Sequence, residues 1–361
     1  MARKPASRGK RTSRRAKRGS ASRTSVARIA FYTLVEKVQR GTITDAETAS
    51  YFVVQPRFDA PFKFDIGINA TAVDVTGVEH AGRMAEGLLH DAMIASDRRP
   101  ARVAPPAGYK RKTPIIAEGD SWFRYFKETI IDVLGDTHGY PITNRAFPGD
   151  TLAQIVNRGQ FWRDLTSGNM PDTFLFSAGG NDVVGNLGAY LNPFDPAHGK
   201  PSDAPYYVKP EFYANLRNVV TTYRSLLNQL QARAPHVIML GHGYDYVIPV
   251  SGGGSLGNPL ANAGHDPEVR PQLCRNIIAV MIDAFNDSLA ALAGSYTNFR
   301  YVNLLGAIGD ADWYNELHPK AAGAKKTAAR FDAALRALPA SGTSPVPLFD
   351  IEAMLRTGRA A

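Results

Sequence analysis

The chain has a single cysteine, Cys274, in 361 residues. That excludes an intrachain disulfide and any metal site built from several thiolates, and it leaves the compartment undecided. No uninterrupted apolar run approaches the ~18 residues of a membrane-spanning helix. Histidines are few, and His80, His90, His138, His198, His236 and His265 show no ligand spacing, so neither a metal nor a cofactor is expected. Acidic residues are missing from one stretch: residues 1–24 hold ten Lys or Arg and no Asp or Glu. Without that tail, 32 basic residues face 33 acidic ones, so the net charge of +9 belongs to the tail and the body is near neutral. Spaced by Ser, Gly and Ala, the tail lacks the apolar surface to fold and reads as disordered. It is either a solubilising or targeting extension or a weak, salt-dependent contact for nucleic acid or another polyanion. Arg14-Arg15 is not followed by an apolar stretch, so no cleavable signal peptide is recognised and a cytoplasmic location is expected.

What is present suffices for a sizeable core: hydrophobic residues make up 44 % of the chain and charged residues 21 %. Residues 25–112 read as an auxiliary region and linker without evident chemistry. Apolar positions recur at helical spacing over 26–38, Thr44 and Glu47 fit a capping box, residues 52–80 suggest strand and 82–95 helix. The Pro- and Arg-rich stretch 98–112 has linker composition. From residue 113 to about 340 the pattern turns regular, and 341–361 form an extension. Five apolar runs (115–118, 142–146, 173–177, 237–241 and 301–304) read as buried strands. Helical patterns near 124–135, 151–163, 211–233, 270–293 and 321–337 separate and follow them. Strand and helix in alternation argue for an α/β fold, a parallel sheet covered on both faces. In such sheets ligands bind at the carboxyl ends of strands. Two long loops, 185–209 and 244–270, are placed to shape that end.

The strand ends carry the chemistry. After the first comes Gly119-Asp120-Ser121-Trp122, a hydroxyl where strand turns toward helix. After the second, Pro148-Gly149-Asp150-Thr151 offers a backbone that can approach a ligand, then a capping box from Thr151 to Gln154. After the third, Gly179-Gly180-Asn181-Asp182 puts an amide on a tight turn. Near the end, Asn315-Glu316-Leu317-His318-Pro319 supplies an imidazole before the last helix. A nucleophile, a backbone N–H, an amide donor and a base are the parts that acyl transfer requires. Asp120 and Asp182 read as structural, bonding loop amides, and His242 as a satisfied structural histidine.

These four blocks, in this order, resemble the SGNH (GDSL-like) hydrolase family over roughly residues 113–337. The resemblance implies a flavodoxin-like three-layer sandwich with a five-stranded parallel sheet. It implies Ser121 as nucleophile, Gly149 and Asn181 as oxyanion donors beside the Ser121 N–H, and His318 as general base. The expected activity is carboxylic ester hydrolysis of a small-molecule ester, with acyl transfer to another acceptor or a non-catalytic binding module as alternatives. One position departs from the family pattern: three residues before His318, where an aspartate usually orients the imidazole, stands Asn315. A backbone carbonyl near Asn315, or a carboxylate from Asp312 or Glu316, is then expected to take the imidazole N–H, unless the protein is slow or inactive. If His318 is the base with an ordinary imidazole pKa, activity should fall as pH drops through about 6.5.

Overall fold

The computed structural model describes residues 27–56, 64–96, 106–125, 128–168 and 170–341. The basic tail 1–24, the first half of the 98–112 linker and the extension beyond Ser341 lie outside the described residues.

Five strands form one parallel sheet: β1 (Ile115–Gly119), β2 (Ile142–Asn144), β3 (Thr173–Ser177), β4 (Ile238–His242) and β5 (Phe299–Val302). Their spatial order is β2-β1-β3-β4-β5, the doubly wound flavodoxin-like order. Every residue of β1, β3 and β4 is buried. Continuous apolar runs, rather than alternation, are what a sheet covered on both faces needs. The covering helices include α1 (Ile130–Asp136), α2 (Leu152–Arg158), α3 (Pro210–Arg233), α4 (Pro271–Ser295) and α5 (Ala321–Arg336). Helix α1 packs on α5, and α3 packs on α4. Helix α4 reaches a mean hydropathy of 1.5 over 18 residues. Its Leu273, Ile277, Met281, Phe285 and Leu289 are buried in the core, which explains that composition without a membrane.

Most boundaries agree with the sequence reading, and the exceptions have physical causes. Strand β5 lies two residues earlier than the run 301–304. It is an edge strand paired only with β4, from Met239↔Phe299 to His242↔Val302. Leu304, buried in the following turn, imitates a strand position. Helix α1 begins at Ile130 instead of 124, because Thr129 caps it in a box with Asp132. The box from Thr151 to Gln154 starts α2 as the spacing predicts, but the helix read over 151–163 stops at Arg158, because Gly159 takes φ +56° before a short helix Phe161–Leu165.

The chain winds from β1 outward to β2, then returns past β1 to β3. The order reverses between β1 and β3, and a crevice opens beyond their carboxyl ends. Gly119 is needed there: β1 runs so close to β3 that a Cβ at 119 would sit 2.4 Å from the Ser177 carbonyl oxygen. The residues that follow these two strands therefore face each other across a short gap.

The auxiliary region has helices Phe31–Gln39, Asp45–Tyr51 and Ala81–Ser96 and two small two-stranded sheets. The Thr44–Glu47 capping box is present. Its apolar cluster, with Phe31, Leu34, Tyr51 and Leu89, also takes in Phe147 from the turn after β2. The Arg124 guanidinium ties the two parts together, donating to the carbonyls of Met93 (2.9 Å) and Asn144 (2.8 Å). The auxiliary region thus buttresses the turn that carries Gly149.

Candidate active site

Ser121 follows β1, and His318 lies 197 residues further along the chain. The topology brings them together: His318 Nε2 is 2.8 Å from Ser121 Oγ, with both residues buried. Asn315 lies inside a tight turn closed by the bridge between Trp313 and Pro319. Its Oδ1 accepts the backbone N–H groups of Leu317 (3.0 Å) and His318 (2.8 Å). Those two donors identify the atom as the oxygen, since the amide nitrogen could not accept them. The same oxygen is 3.1 Å from His318 Nδ1. Nδ1 therefore carries the imidazole proton, and Nε2 presents its lone pair to the Ser121 hydroxyl. The other end of the Asn315 amide bonds the Tyr125 phenol. The Tyr125 ring stacks on the imidazole at 3.9 Å and 13°.

This corrects the expected orienting group, which is the Asn315 side chain and neither a backbone carbonyl nor a carboxylate. Asp312 pairs instead with Lys326 at 2.6 Å. Glu316 accepts four backbone N–H groups of the long loop after β4: Val250 (2.9 Å), Ser255 (3.0 Å), Leu256 (3.1 Å) and Gly257 (2.8 Å). Tyr125 had no signal in the sequence beyond its place four residues after Ser121.

Buried His318 has no carboxylate beside it to balance the charge of an imidazolium. Burial pushes its pKa down to about 3. The neutral ring is the form that can accept a proton, so the competent form persists far below the ordinary imidazole range. The expected fall through pH 6.5 is accordingly replaced. On a short activated ester, kcat/KM should stay level from pH 7 down to pH 5, read from initial rates. Half-loss near pH 6.5 would contradict a buried imidazole without a carboxylate partner.

Asn181 stands at the first turn after β3 and donates its amide to the Asp150 carbonyl at 2.8 Å. An amide has two N–H groups, so one remains to donate. Gly149 takes φ +83°, a left-handed conformation that costs a residue with a Cβ. Among the described residues, neither the Ser121 nor the Gly149 backbone N–H meets an acceptor. Asp150, beside them, pairs with Arg158, yet burial pushes its carboxyl up to about 6. Asp182 accepts Leu152 N–H at 2.8 Å, fixing the start of α2. Asp120 accepts Trp122 N–H at 3.0 Å and the Tyr244 hydroxyl at 2.5 Å. His242 does not face the site opening but lies wholly buried behind it. Against Ser121 and Asn181 lies a cavity of about 40 Å³, walled chiefly by Trp122, Val184, Val247, Ile282, Phe285 and Leu317.

A serine–histidine pair at the switch point of a flavodoxin-like sheet, with Gly149 and Asn181 at the two neighbouring strand ends, is the arrangement of an SGNH hydrolase. The model of the GDSL-like Lipase/Acylhydrolase family matches residues 107–326, well over half of the chain, and the protein belongs to that family. No curated protein matches it. Among solved structures it is similar to a GDSL-like lipase candidate of Parabacteroides merdae: 16% identity, 64% of this chain and 99% of that one, TM-score 0.42. It is also similar to the extracellular lipase of Streptomyces rimosus: 14% identity, 61% and 98% of the two chains, TM-score 0.41. A third is a lipolytic G-D-S-L family member of Veillonella parvula: 13% identity, 62% and 98%, TM-score 0.37. Likeness at this level carries no information about substrate.

Proposed function

We propose that the protein hydrolyses carboxylic esters through an acyl-enzyme on Ser121. The observation that carries this reading is the 2.8 Å contact between Ser121 Oγ and a His318 whose Nδ1–H is directed to Asn315. Ser121 Oγ attacks the ester carbonyl while Nε2 takes its proton. The carbonyl oxygen becomes an oxyanion held by the N–H groups of Ser121, Gly149 and Asn181. His318 then gives the proton to the departing alkoxide. Water, deprotonated by the same nitrogen, attacks the acyl-enzyme, and the acid leaves with Ser121 restored. The apolar cavity beside Ser121 supports an ester with a small apolar group on the carbonyl side. A charged or polyhydroxylated group would lose its hydration there without new partners.

Asn181→Ala tests the oxyanion assignment. Turnover of a short p-nitrophenyl ester should fall by roughly 10²–10³ with little change in KM, the range for losing one such donor. An unchanged kcat would remove Asn181 from the hole.

A further inference from the structure

Behind the serine lies a second line of polar groups. Ser177 Oγ is 2.7 Å from Asp120 Oδ1 and 2.8 Å from His242 Nε2. His242 Nδ1 is 2.6 Å from the Gly243 carbonyl oxygen. Asp120, Ser177 and His242 are all buried, at 1%, 0% and 0% exposure, so bulk solvent does not reach them. A carbonyl can only accept, so His242 Nδ1 carries a proton. The Ser177 hydroxyl has one proton and two neighbours. If Asp120 is a bare carboxylate and His242 Nε2 a bare lone pair, one of the two short contacts sets acceptor against acceptor. One added proton resolves the conflict: a protonated Asp120 donates to Ser177, which donates to His242, or an imidazolium donates the other way.

We propose that Asp120, Ser177 and His242 hold one shared proton, so that no net negative charge stands behind the oxyanion donors. Asp120 directly precedes Ser121 and fixes the Trp122 N–H, so its charge would oppose an oxyanion forming at the Ser121 N–H. Asp120 and His242 are thus positioning residues for the reaction proposed above, and the inference rests on that reading. The surroundings favour a neutral trio. The rings of Trp122, Phe123, Tyr244 and Phe331 pack around His242, and burial pushes its pKa down to about 4. Around Asp120 stand the Tyr244 and Tyr223 phenols and, further off, Asp150. Burial is the largest influence and pushes the Asp120 carboxyl up to about 6. Among the bonds that hold it down is the one from Ser177, and a Ser177 hydroxyl turned to His242 no longer supplies it. Of the two ends, the Asp120 carboxyl is therefore the better seat for the shared proton.

Nitrogen NMR of the full-length protein, labelled with ¹⁵N-histidine, tests the proton count without reference to activity. At pH 7 His242 should be protonated at Nδ1, with Nε2 accepting a hydrogen bond. A neutral ring protonated at Nε2 alone would overturn the proposal, because that arrangement needs no added proton. His242→Gln tests the consequence, since its amide can donate to Ser177 and leave Asp120 ionised. Its kcat on a short ester should be within a few-fold of wild type at pH 5 and about ten- to a hundredfold lower at pH 8, with KM unchanged. A deficit independent of pH, or no deficit, overturns the electrostatic role. If wild type itself turned over no ester, the reading of the site would fail while the NMR result stood.

Discussion

Ser121→Ala is expected to lower turnover of a short activated ester by about 10⁶, the scale of loss on removing a serine nucleophile, and to abolish labelling by a fluorophosphonate. The fold should tolerate the change. The hydroxyl bonds His318 Nε2, and losing it costs about one hydrogen bond, ~1 kcal/mol, with no apolar contact of consequence. Far-ultraviolet circular dichroism should match wild type, and the urea midpoint should fall by no more than about 0.5 M. Hydrolysis at the wild-type rate by the folded variant would show that Ser121 is not the nucleophile.

Asn315→Leu should be the next most damaging substitution, lowering kcat/KM on the order of 10⁴ by analogy with removal of the orienting group in serine proteases. There the Asp→Asn change is harmful because the amide can turn its nitrogen to the ring and impose the wrong tautomer. Here two backbone N–H groups hold the Asn315 oxygen toward His318, so the correct tautomer survives without a carboxylate. Leucine removes the acceptor for all three N–H groups. Asn315→Asp makes the complementary test. It keeps the three bonds and adds a negative charge that favours imidazolium. The acid limb of kcat/KM should rise from far below pH 5 toward 6.5 or above. Wild-type turnover in Asn315→Leu, or an unmoved limb in Asn315→Asp, would mean that some other group orients the ring.

The sheet was legible because its strands are buried on both faces and so appear as unbroken apolar runs, and because strand and helix alternate. The rule placing ligands at strand carboxyl ends singles out Ser121, Gly149 and Asn181 before any contact is known. His318 is distant in sequence, and only the closing of α5 onto the sheet brings it to Ser121. What the sequence withheld depends on rotamers and through-space contacts. That Asn315 serves with its own oxygen depends on a side chain folded back over its turn, which local sequence allows but does not require. Glu316 looks like a spare carboxylate until the amides of residues 250–257 are seen around it. His242 reads as a structural histidine, and its burial agrees. Its link through Ser177 to Asp120, however, spans three strands and leaves no motif. The auxiliary region gives no chemical signal, since its links to the site are apolar contact with Phe147 and the Met93 carbonyl that Arg124 meets.

Glu316 sits in the turn between Asn315 and His318 and grips the loop that leads from Tyr244 and Val247 on the cavity wall. Widening the cavity by swinging that loop outward would drag on the turn that aims the imidazole. The mouth and the His318 turn are therefore joined mechanically through Glu316. For the hydrolysis proposed above, a bulky ester that pries the loop open would spoil the alignment it needs, and would be rejected by failing to react rather than by failing to enter.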